Sequence, residues 1–296
     1  MIQNTKFLSE YRLGDEKTIE QQVDLRVLSF GAGVQSSYLF FKMLEQEIKP
    51  PDIALFADTG NEPKEVYDWL SKLIQLSKNK INVEIVKNND NTGNIINDYK
   101  AQEGRYGLIP THILKKDGTA GFGRRTCTYE YKIKPINNKI RQTLGVKSLR
   151  GKAVEVVMGI STDEIQRVKK SQNKWEIKTY PLIENNISRS DCVHYFKHKD
   201  IGTPPRSACI ICPYHSNKEW KRIKDNHPDE WEFAVEFDEW LRDKNSSSKG
   251  LDKFRESGSE QYLHKKKIPL KIVDLRTEHD YQYSLFDDEC EGMCGV

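Results

Sequence analysis

The sequence lacks any hydrophobic run long enough to cross a bilayer, and its first residues lack the apolar core of a secretory signal. It also lacks a large excess of charge of either sign, because the net charge is only +3. A chain with 36% aliphatic, aromatic and cysteine residues and 31% charged residues is not typical of a disordered protein. These properties predict a soluble, cytoplasmic protein without a membrane partner.

The small net charge gives no reason to expect a polyanionic partner for the whole molecule, but the positive charge is unevenly distributed. Lysine and arginine are concentrated in three segments, around residues 124–134, 218–224 and 265–267. Such runs are usually solvated faces, and they are also typical of surfaces that bind a phosphate-rich partner. Both interpretations stay open.

Five short apolar runs recur along the first 185 residues, and each has the length of a buried parallel strand. They are Leu25–Phe30, Ile53–Ala57, Val83–Val86, Val154–Gly159 and Trp175–Leu182. Helical patterns separate them: Phe40, Leu44 and Ile48 share one face, and Asn61 with Pro63 is typical of a helix start. This alternation predicts an α/β fold with a doubly wound, parallel five-stranded sheet.

The alternation of strand and helix patterns is interrupted at several points, and these interruptions predict a domain organisation. We expect an N-terminal arm at residues 1–23 and an α/β domain at 24–185 with an irregular insertion at 88–126. A helical, cysteine-containing region follows at 186–243, and a linker with a mobile C-terminal tail occupies 244–296.

The segment VLSFGAGVQSS places two glycines and three serines between the first strand and its helix. Glycines let the backbone approach a phosphate closely, and the free N–H groups of a helix start favour an anion. It is neither a Walker loop nor a GxGxxG fingerprint, and an ordinary tight turn is the alternative. The candidate nucleotide-binding residues are Ser29, Phe30, Gly31, Gly33, Gln35, Ser36 and Ser37.

The loop resembles the SGGxDS pyrophosphate loop of the adenine nucleotide α-hydrolase (PP-loop) superfamily. The later segments LFADTGNEPKEVYDWL, RRTCTYEYKIKPI and MGISTDEIQRVK resemble, in the same order, those of its phosphoadenosine phosphosulfate (PAPS) reductase-like branch. That branch includes the enzyme of DNA phosphorothioation. The resemblance implies a sheet of the PP-loop (HUP) type and a bound ATP or adenylyl sulfonucleotide.

The same resemblance implies roles for residues at these motifs. Nucleotide contacts are expected from Asp58, Thr59, Gly60, Gly159, Asp163 and Glu164. Stabilisation of charge on a transferring phosphoryl group is expected from Arg125, Lys132 and Arg167. Gln35 departs from the pattern, because ATP-cleaving relatives usually carry a magnesium-proximal aspartate there. A bound Mg²⁺ would then need Asp58 or Asp163 as a ligand.

All six cysteines lie after residue 126, and the CxxC pair Cys209 and Cys212 is typical of a metal knuckle. By resemblance to the cluster-bearing sulfonucleotide reductases, Cys127 joins this pair, and Cys192 is the fourth candidate. A [4Fe–4S] cluster is one interpretation. Zinc, completed by His215 or His194, and reduced buried thiols are the alternatives.

Cys290 and Cys294 lie in a terminal tail, DECEGMCGV, that resembles a doubled form of the reductases' mobile Glu-Cys-Gly tail. The resemblance implies that these thiols attack electrophilic sulfur or carry a persulfide. Two idle thiols in a disordered tail are the alternative.

These observations predict an ATP-dependent sulfur-transfer enzyme that adenylates an acceptor, with nucleic acid as a candidate acceptor, and releases pyrophosphate. One alternative is a sulfonucleotide reductase that uses a tail cysteine. Another is a nucleotide-binding module without turnover. A cysteine desulfurase or a thioredoxin-like protein is the expected sulfur or electron donor, and an oligomer is compatible with the sequence.

Overall fold

A computed structural model describes residues 23–101, 103, 106–243 and 256–276 of the 296-residue chain. All structural statements below concern these residues.

The central feature of the fold is a five-stranded, fully parallel sheet, in the strand order β3-β2-β1-β6-β7. Its strands are β1 (Leu25–Phe30), β2 (Ile53–Asp58), β3 (Val83–Lys87), β6 (Val154–Met158) and β7 (Glu176–Thr179). The strand order reverses beside β1, since the chain first adds β2 and β3 on one side and then β6 and β7 on the other. The predicted doubly wound, five-stranded α/β fold is confirmed.

Alternate residues of the central strands enter two separate cores. Leu28 and Phe30 point to one face of the sheet, and Leu25 and Val27 point to the other. Because both faces are covered by helices, every residue of β2 is buried, which explains its continuous apolar run.

Helices and helical turns cover the sheet and build the region after it. The α-helices are α1 (Val34–Leu44), α2 (Lys64–Leu76), α3 (Ile95–Ala101), α4 (Lys134–Thr143), α5 (Pro181–Glu184), α6 (Arg189–Lys197), α7 (Asn217–Asn226) and α8 (Pro228–Trp240). A π-helical turn spans Tyr129–Ile133 and runs directly into α4, and 3₁₀ turns span Thr162–Arg167 and Leu270–Ile272.

Some predicted boundaries were wrong. The strand expected at Trp175–Leu182 ends at Thr179, because Pro181 occupies the first turn of α5 and has no N–H for a ladder. The first helix ends at Leu44 and does not reach Ile48. Asn61 does not cap α2, which starts at Lys64 after Pro63; instead Asn61 is buried in the preceding loop.

A second, three-stranded antiparallel sheet joins distant parts of the chain. The segment between residues 88 and 126 supplies β4 (His112–Leu114) and β5 (Ala120–Phe122), and β8 (Glu260–Tyr262) pairs with β4. Behind it, Leu263 and Leu270 are fully buried against α8. The described part of the segment predicted as linker and tail, residues 256–276, is therefore packed against the helical region.

Within the described ranges, every helix is too short or too polar to cross a membrane.

His264, just after β8, is buried in a fixed neutral form. Its Nδ1 accepts a hydrogen bond from the backbone N–H of Lys266 (3.2 Å), and its Nε2 lies 2.9 Å from Asn217 Oδ1, to which it donates. Burial, helped by the nearby Lys266 ammonium, lowers the pKa of His264 to about 4. The imidazole is therefore uncharged at neutral pH.

We expect this histidine to make the fold acid-sensitive. Because its pKa is depressed in the folded state, the unfolded chain binds the extra proton first, and the stability contributed above about pH 6.5 is lost as the pH falls toward 4. His264→Gln should reduce the slope of unfolding free energy against pH in this window by up to about 1.4 kcal/mol per pH unit. Urea denaturation at several pH values measures the slope. An unchanged slope, equal to that of the exposed-site control His198→Gln, would contradict the assignment.

Candidate functional site

A cavity of about 450 Å³ opens at the carboxyl ends of the central strands, where the strand order reverses. This edge is where open parallel sheets bind ligands. Residues from β1, β2, β6 and β7 form its floor, and the π-helical turn and the starts of α1 and α6 form its walls.

The loop between β1 and α1 forms the innermost wall. Gly33 precedes the first turn of α1, and that turn contains no acidic residue. The Ser36 hydroxyl donates to the carbonyl of Gly33 (3.2 Å), which stabilises the turn. An eleven-residue helix whose start faces a cavity provides backbone N–H groups and a positive dipole end for an anion.

A close backbone approach holds this helix start against the sheet. A Cβ atom at Gly159, just after β6, would lie 2.9 Å from both the Cα and the N of Ser36. The space therefore admits only glycine without a shift of backbone. A Cβ atom at Gly33 would also be crowded, because it would lie 3.2 Å from the Cβ of Ser207.

Most of the predicted loop residues line the cavity, and one does not. The lining residues are Ser29, Phe30, Gly31, Gly33, Gln35, Ser36 and Gly159. Ser37 turns into the core, where it is fully buried and its hydroxyl accepts a hydrogen bond from the indole N–H of Trp69 (2.9 Å).

Basic side chains outnumber carboxylates along the cavity wall. The basic residues are Lys132, Arg167, Lys169, Lys170, Lys178, Arg189 and Arg206, and the acidic ones are Glu62, Glu164 and Glu176. Arg167 pairs with Glu164 (2.7 Å), so part of the charge is already compensated. The excess of positive charge in a partly enclosed space favours a polyanionic ligand.

The predicted Asp58, Thr59 and Gly60 lie beside this cavity rather than in its wall. The Asp58 carboxylate accepts hydrogen bonds from the Gly60 N–H and the Tyr67 hydroxyl, both at 2.7 Å, and pairs with Lys87 (2.9 Å). Burial and the hydrogen bond to Asp58 raise the pKa of the Tyr67 hydroxyl, which therefore stays protonated and donates that bond. Asp58 thus holds the turn in which Gly60 adopts a left-handed conformation (φ +68°).

Asp163 and Glu164 occupy different environments. Glu164 lines the cavity and pairs with Arg167, whereas Asp163 is exposed and accepts the backbone N–H of Arg189 (2.7 Å). Asp163 therefore joins the loop after β6 to the start of α6.

A smaller cavity of about 40 Å³ lies next to the first and is lined by three cysteines, Cys127, Cys209 and Cys212. Thr128 and Lys132, from the segment that forms the π-helical turn, line both cavities. Arg125 lines the small cavity, with its guanidinium 5.3 Å from the ring centre of Tyr214. The π-helical turn is thus a shared wall, and such turns are frequent at functional sites.

Glu62 connects the two cavities, and it was missed by the sequence reasoning. Its buried carboxylate lines the large cavity, lies 3.5 Å from Lys132 Nζ and accepts a hydrogen bond from the Thr59 hydroxyl (3.1 Å). The same hydroxyl lies 3.3 Å from the Cys209 sulfur. The signal in the sequence was the pair of polar residues directly after the DTG segment, which has no helical or strand pattern of its own.

Cys192 does not join the other three cysteines. It is fully buried on α6, in the core formed with α1 and α2, and burial raises the pKa of its thiol to about 12. A group that stays a neutral thiol in an apolar core is a packing residue rather than a metal ligand.

The zinc alternatives do not assemble either. His194 is exposed, and its ring contacts that of His198 at an interplanar angle of 45°, with ring centres 4.1 Å apart. His215 is buried, its Nε2 lies 3.0 Å from the Cys209 carbonyl oxygen, and burial lowers its pKa to about 4. Among the described residues, no three cysteine, histidine, aspartate or glutamate side chains are arranged to hold a metal ion. Neither the four-cysteine cluster set nor the Cys₃His set fits this arrangement.

Cys290 and Cys294 lie outside the described residues.

Arg189, Arg206 and Ser207 also line the cavity and were not predicted, because they come from segments without motif character. Tyr129 lies inside the RRTCTYEYKIKPI motif, at a position to which the resemblance implies no role. Arg189 begins α6, whose only signal was the capping box between Ser188 and Asp191. Tyr129 lies at the cavity wall with about half of its surface exposed. Arg206 and Ser207 come from an irregular segment.

No family model and no curated protein matches this chain. Among solved structures, it is similar to the phosphate complex of phosphoadenylyl-sulfate (PAPS) reductase from Candida auris. The TM-score is 0.40 and the identity 14%, and the match covers 64% of this chain and 78% of that one. The fold assignment rests on the strand order.

We expect Gly159→Ala to disturb the site and the fold together. The added methyl group would meet the backbone of Ser36, which cannot move without shifting α1, so the free energy of unfolding should fall by about 1–3 kcal/mol. Urea denaturation measures this change. The control is Gly121→Ala, where the new Cβ would meet only ordinary contacts at 3.4 Å or more. Equal stability of the two variants would refute the close approach.

Proposed function

We propose that this protein is an enzyme that binds an adenine nucleotide in the large cavity and performs sulfur chemistry with it. The observation that carries the proposal is the shared wall. A cationic cavity at the switch point of the sheet adjoins a cavity lined by Cys127, Cys209 and Cys212, and Lys132 reaches both.

The nucleotide phosphates would lie on the loop before α1 and against the basic side chains of the wall. Backbone N–H groups of a helix start and charged side chains together form strong phosphate sites. The apolar floor, which includes Phe56 and Met158, and the exposed ring of Tyr129 offer surfaces for the adenine base.

The first candidate reaction is ATP-dependent sulfur transfer. An acceptor oxygen forms a bond to the α-phosphorus of ATP while the bond to the β-phosphate oxygen breaks, and pyrophosphate leaves. The terminal sulfur of a cysteine persulfide, formed with a cysteine desulfurase, then bonds to the acceptor while the acceptor's bond to the AMP oxygen breaks and AMP leaves. A second cysteine thiol attacks the carrier sulfur, so that a disulfide forms and the acceptor is released with the transferred sulfur. Lys132 and Arg167 in the wall are suited to stabilise charge on the phosphoryl group, and Arg125 lies toward the cysteines.

Nucleic acid as the acceptor is supported by the surface beside the cysteine cavity. Phe122 is about half exposed, and its ring contacts His112 and Tyr214. Lys265 and Lys267 are close enough to His112 to help lower its pKa, after burial as the main cause. Exposed aromatic rings beside lysine and arginine are typical of surfaces that bind single strands.

The second candidate reaction is reduction of a sulfonucleotide, with a thioredoxin-like protein as electron donor. A cysteine thiolate would form a bond to the sulfonate sulfur while the sulfur–oxygen bond to the nucleotide phosphate breaks, and the thiosulfonate would release sulfite on disulfide formation. It is favoured by Gln35, a neutral residue where ATP-cleaving relatives carry a carboxylate, and which bonds to Arg189.

Calorimetry and product analysis test the proposal together. We expect ATP or an adenylyl sulfonucleotide to bind, and Lys132→Met to weaken this binding by about 10-fold because a charged contact is lost. Turnover that releases pyrophosphate and AMP identifies sulfur transfer, and release of sulfite identifies sulfonucleotide reduction. Tight binding without turnover would leave a nucleotide-binding module. Absence of binding for all of these nucleotides would refute the proposal.

The two tail cysteines have a separate test. If Cys290 or Cys294 delivers sulfur or attacks it, the double Cys→Ser variant should lose turnover while its nucleotide affinity stays that of the unaltered protein. Cys192→Ala is a control for loss of a thiol outside both cavities. Full turnover of the double variant would assign the sulfur chemistry to the cysteines of the small cavity.

A further inference from the structure

Gln35 lies in the first turn of α1 and is held from two sides. Its side chain is buried, its Nε2 donates to the Ser161 hydroxyl (3.4 Å), and its Oε1 accepts from Arg189 Nη1 (2.9 Å). Ser161 follows β6 and Arg189 starts α6, so the amide joins three elements that meet at the large cavity.

Arg189 is in turn anchored through its backbone. Its N–H donates to Asp163 Oδ1 (2.7 Å), and the capping box of Ser188 and Asp191 stabilises the turn to which it belongs. The carboxylates of Asp163 and Asp191 accept backbone N–H groups, whereas the guanidinium donates to the neutral Gln35 amide. The guanidinium lines the cavity, and the neutral amide of Gln35 does not compensate its positive charge.

We propose that Arg189, oriented by Gln35, binds the nucleotide phosphate that lies at the start of α1. The guanidinium would supply there the positive charge that a divalent cation supplies when a carboxylate occupies position 35. This inference rests on the proposed nucleotide site and adds to it whether the nucleotide binds with or without a magnesium ion. The bound species is the free nucleotide, and its affinity does not depend on Mg²⁺.

The identity of residue 35 decides this behaviour. A glutamine accepts one N–H of the guanidinium and leaves the net charge of Arg189 available to a phosphate, whose oxygens match the guanidinium fork. A carboxylate at the same position would pair with Arg189 and cancel that charge. It would also create a ligand for a divalent cation.

Isothermal titration of the full-length protein with ATP, and separately with adenosine 3′,5′-bisphosphate, tests the inference in EDTA and in Mg²⁺. For the unaltered protein we expect binding of at least one of the two nucleotides in EDTA, with an affinity that changes less than about 3-fold on addition of Mg²⁺. Arg189→Gln should weaken binding in EDTA by about 10-fold or more, the size of a lost hydrogen-bonded charge contact. Arg150→Gln, at an exposed position outside the cavity, is the matched control.

Variants at position 35 separate positioning from charge. Gln35→Glu should weaken binding in EDTA by about 10-fold or more, because the guanidinium becomes paired, and Mg²⁺ should restore part of the loss. Arg189→Lys keeps the charge without the fork and should lie between the unaltered protein and Arg189→Gln. Thermal unfolding of each variant confirms that it is folded before its affinity is compared.

The outcomes separate this inference from the proposed function. Nucleotide binding that needs Mg²⁺, or that is unchanged in both Arg189→Gln and Gln35→Glu, overturns the role of Arg189 and leaves the nucleotide site intact. Absence of binding of either nucleotide under both conditions overturns the site and this inference with it.

Discussion

The contact between the start of α1 and the end of β6 determines the geometry of the whole site. Gly159 has no side chain, so the backbone of Ser36 can lie against it, and the loop before α1 is pressed onto the sheet. The free N–H groups of that helix start then face the cavity, and Gln35 comes within reach of Ser161, after β6, and of Arg189, in α6. A larger residue at position 159 would separate the loop before α1 from the rest of the cavity wall.

The fold was predictable because its signals are local. Continuous apolar runs such as Ile53–Ala57 become strands buried on both faces, and their alternation with helices leads to parallel pairing of β1 with β2 and β6. The small antiparallel sheet was not predictable, because β4, β5 and β8 are three residues each and β8 pairs with β4 from about 150 positions away. Strands of three residues are too short to show a hydrophobic periodicity that would predict them.

The candidate site was predictable where it follows a strand or lies in a segment that resembles a family motif. Gly33, Gln35, Ser36 and Gly159 come directly after β1 or β6 and line the cavity. Glu62 and Arg189 reach it from a turn and a helix start, through contacts that no spacing encodes. Cys192 illustrates the opposite error. The pattern of cysteines suggested that it binds a metal, whereas the structure buries its thiol in an apolar core, where it contributes to packing.

The pairing of β8 with β4 has a consequence for how the protein is made. During synthesis, His112–Leu114 emerges long before Glu260–Tyr262, so one edge of the hairpin lacks its neighbour until about 150 further residues have been translated. Cys127, Cys209 and Cys212 are all synthesised before β8, and the segment that carries Cys127 follows this hairpin directly. The strand that completes the small antiparallel sheet is therefore translated after every residue that lines the thiol cavity.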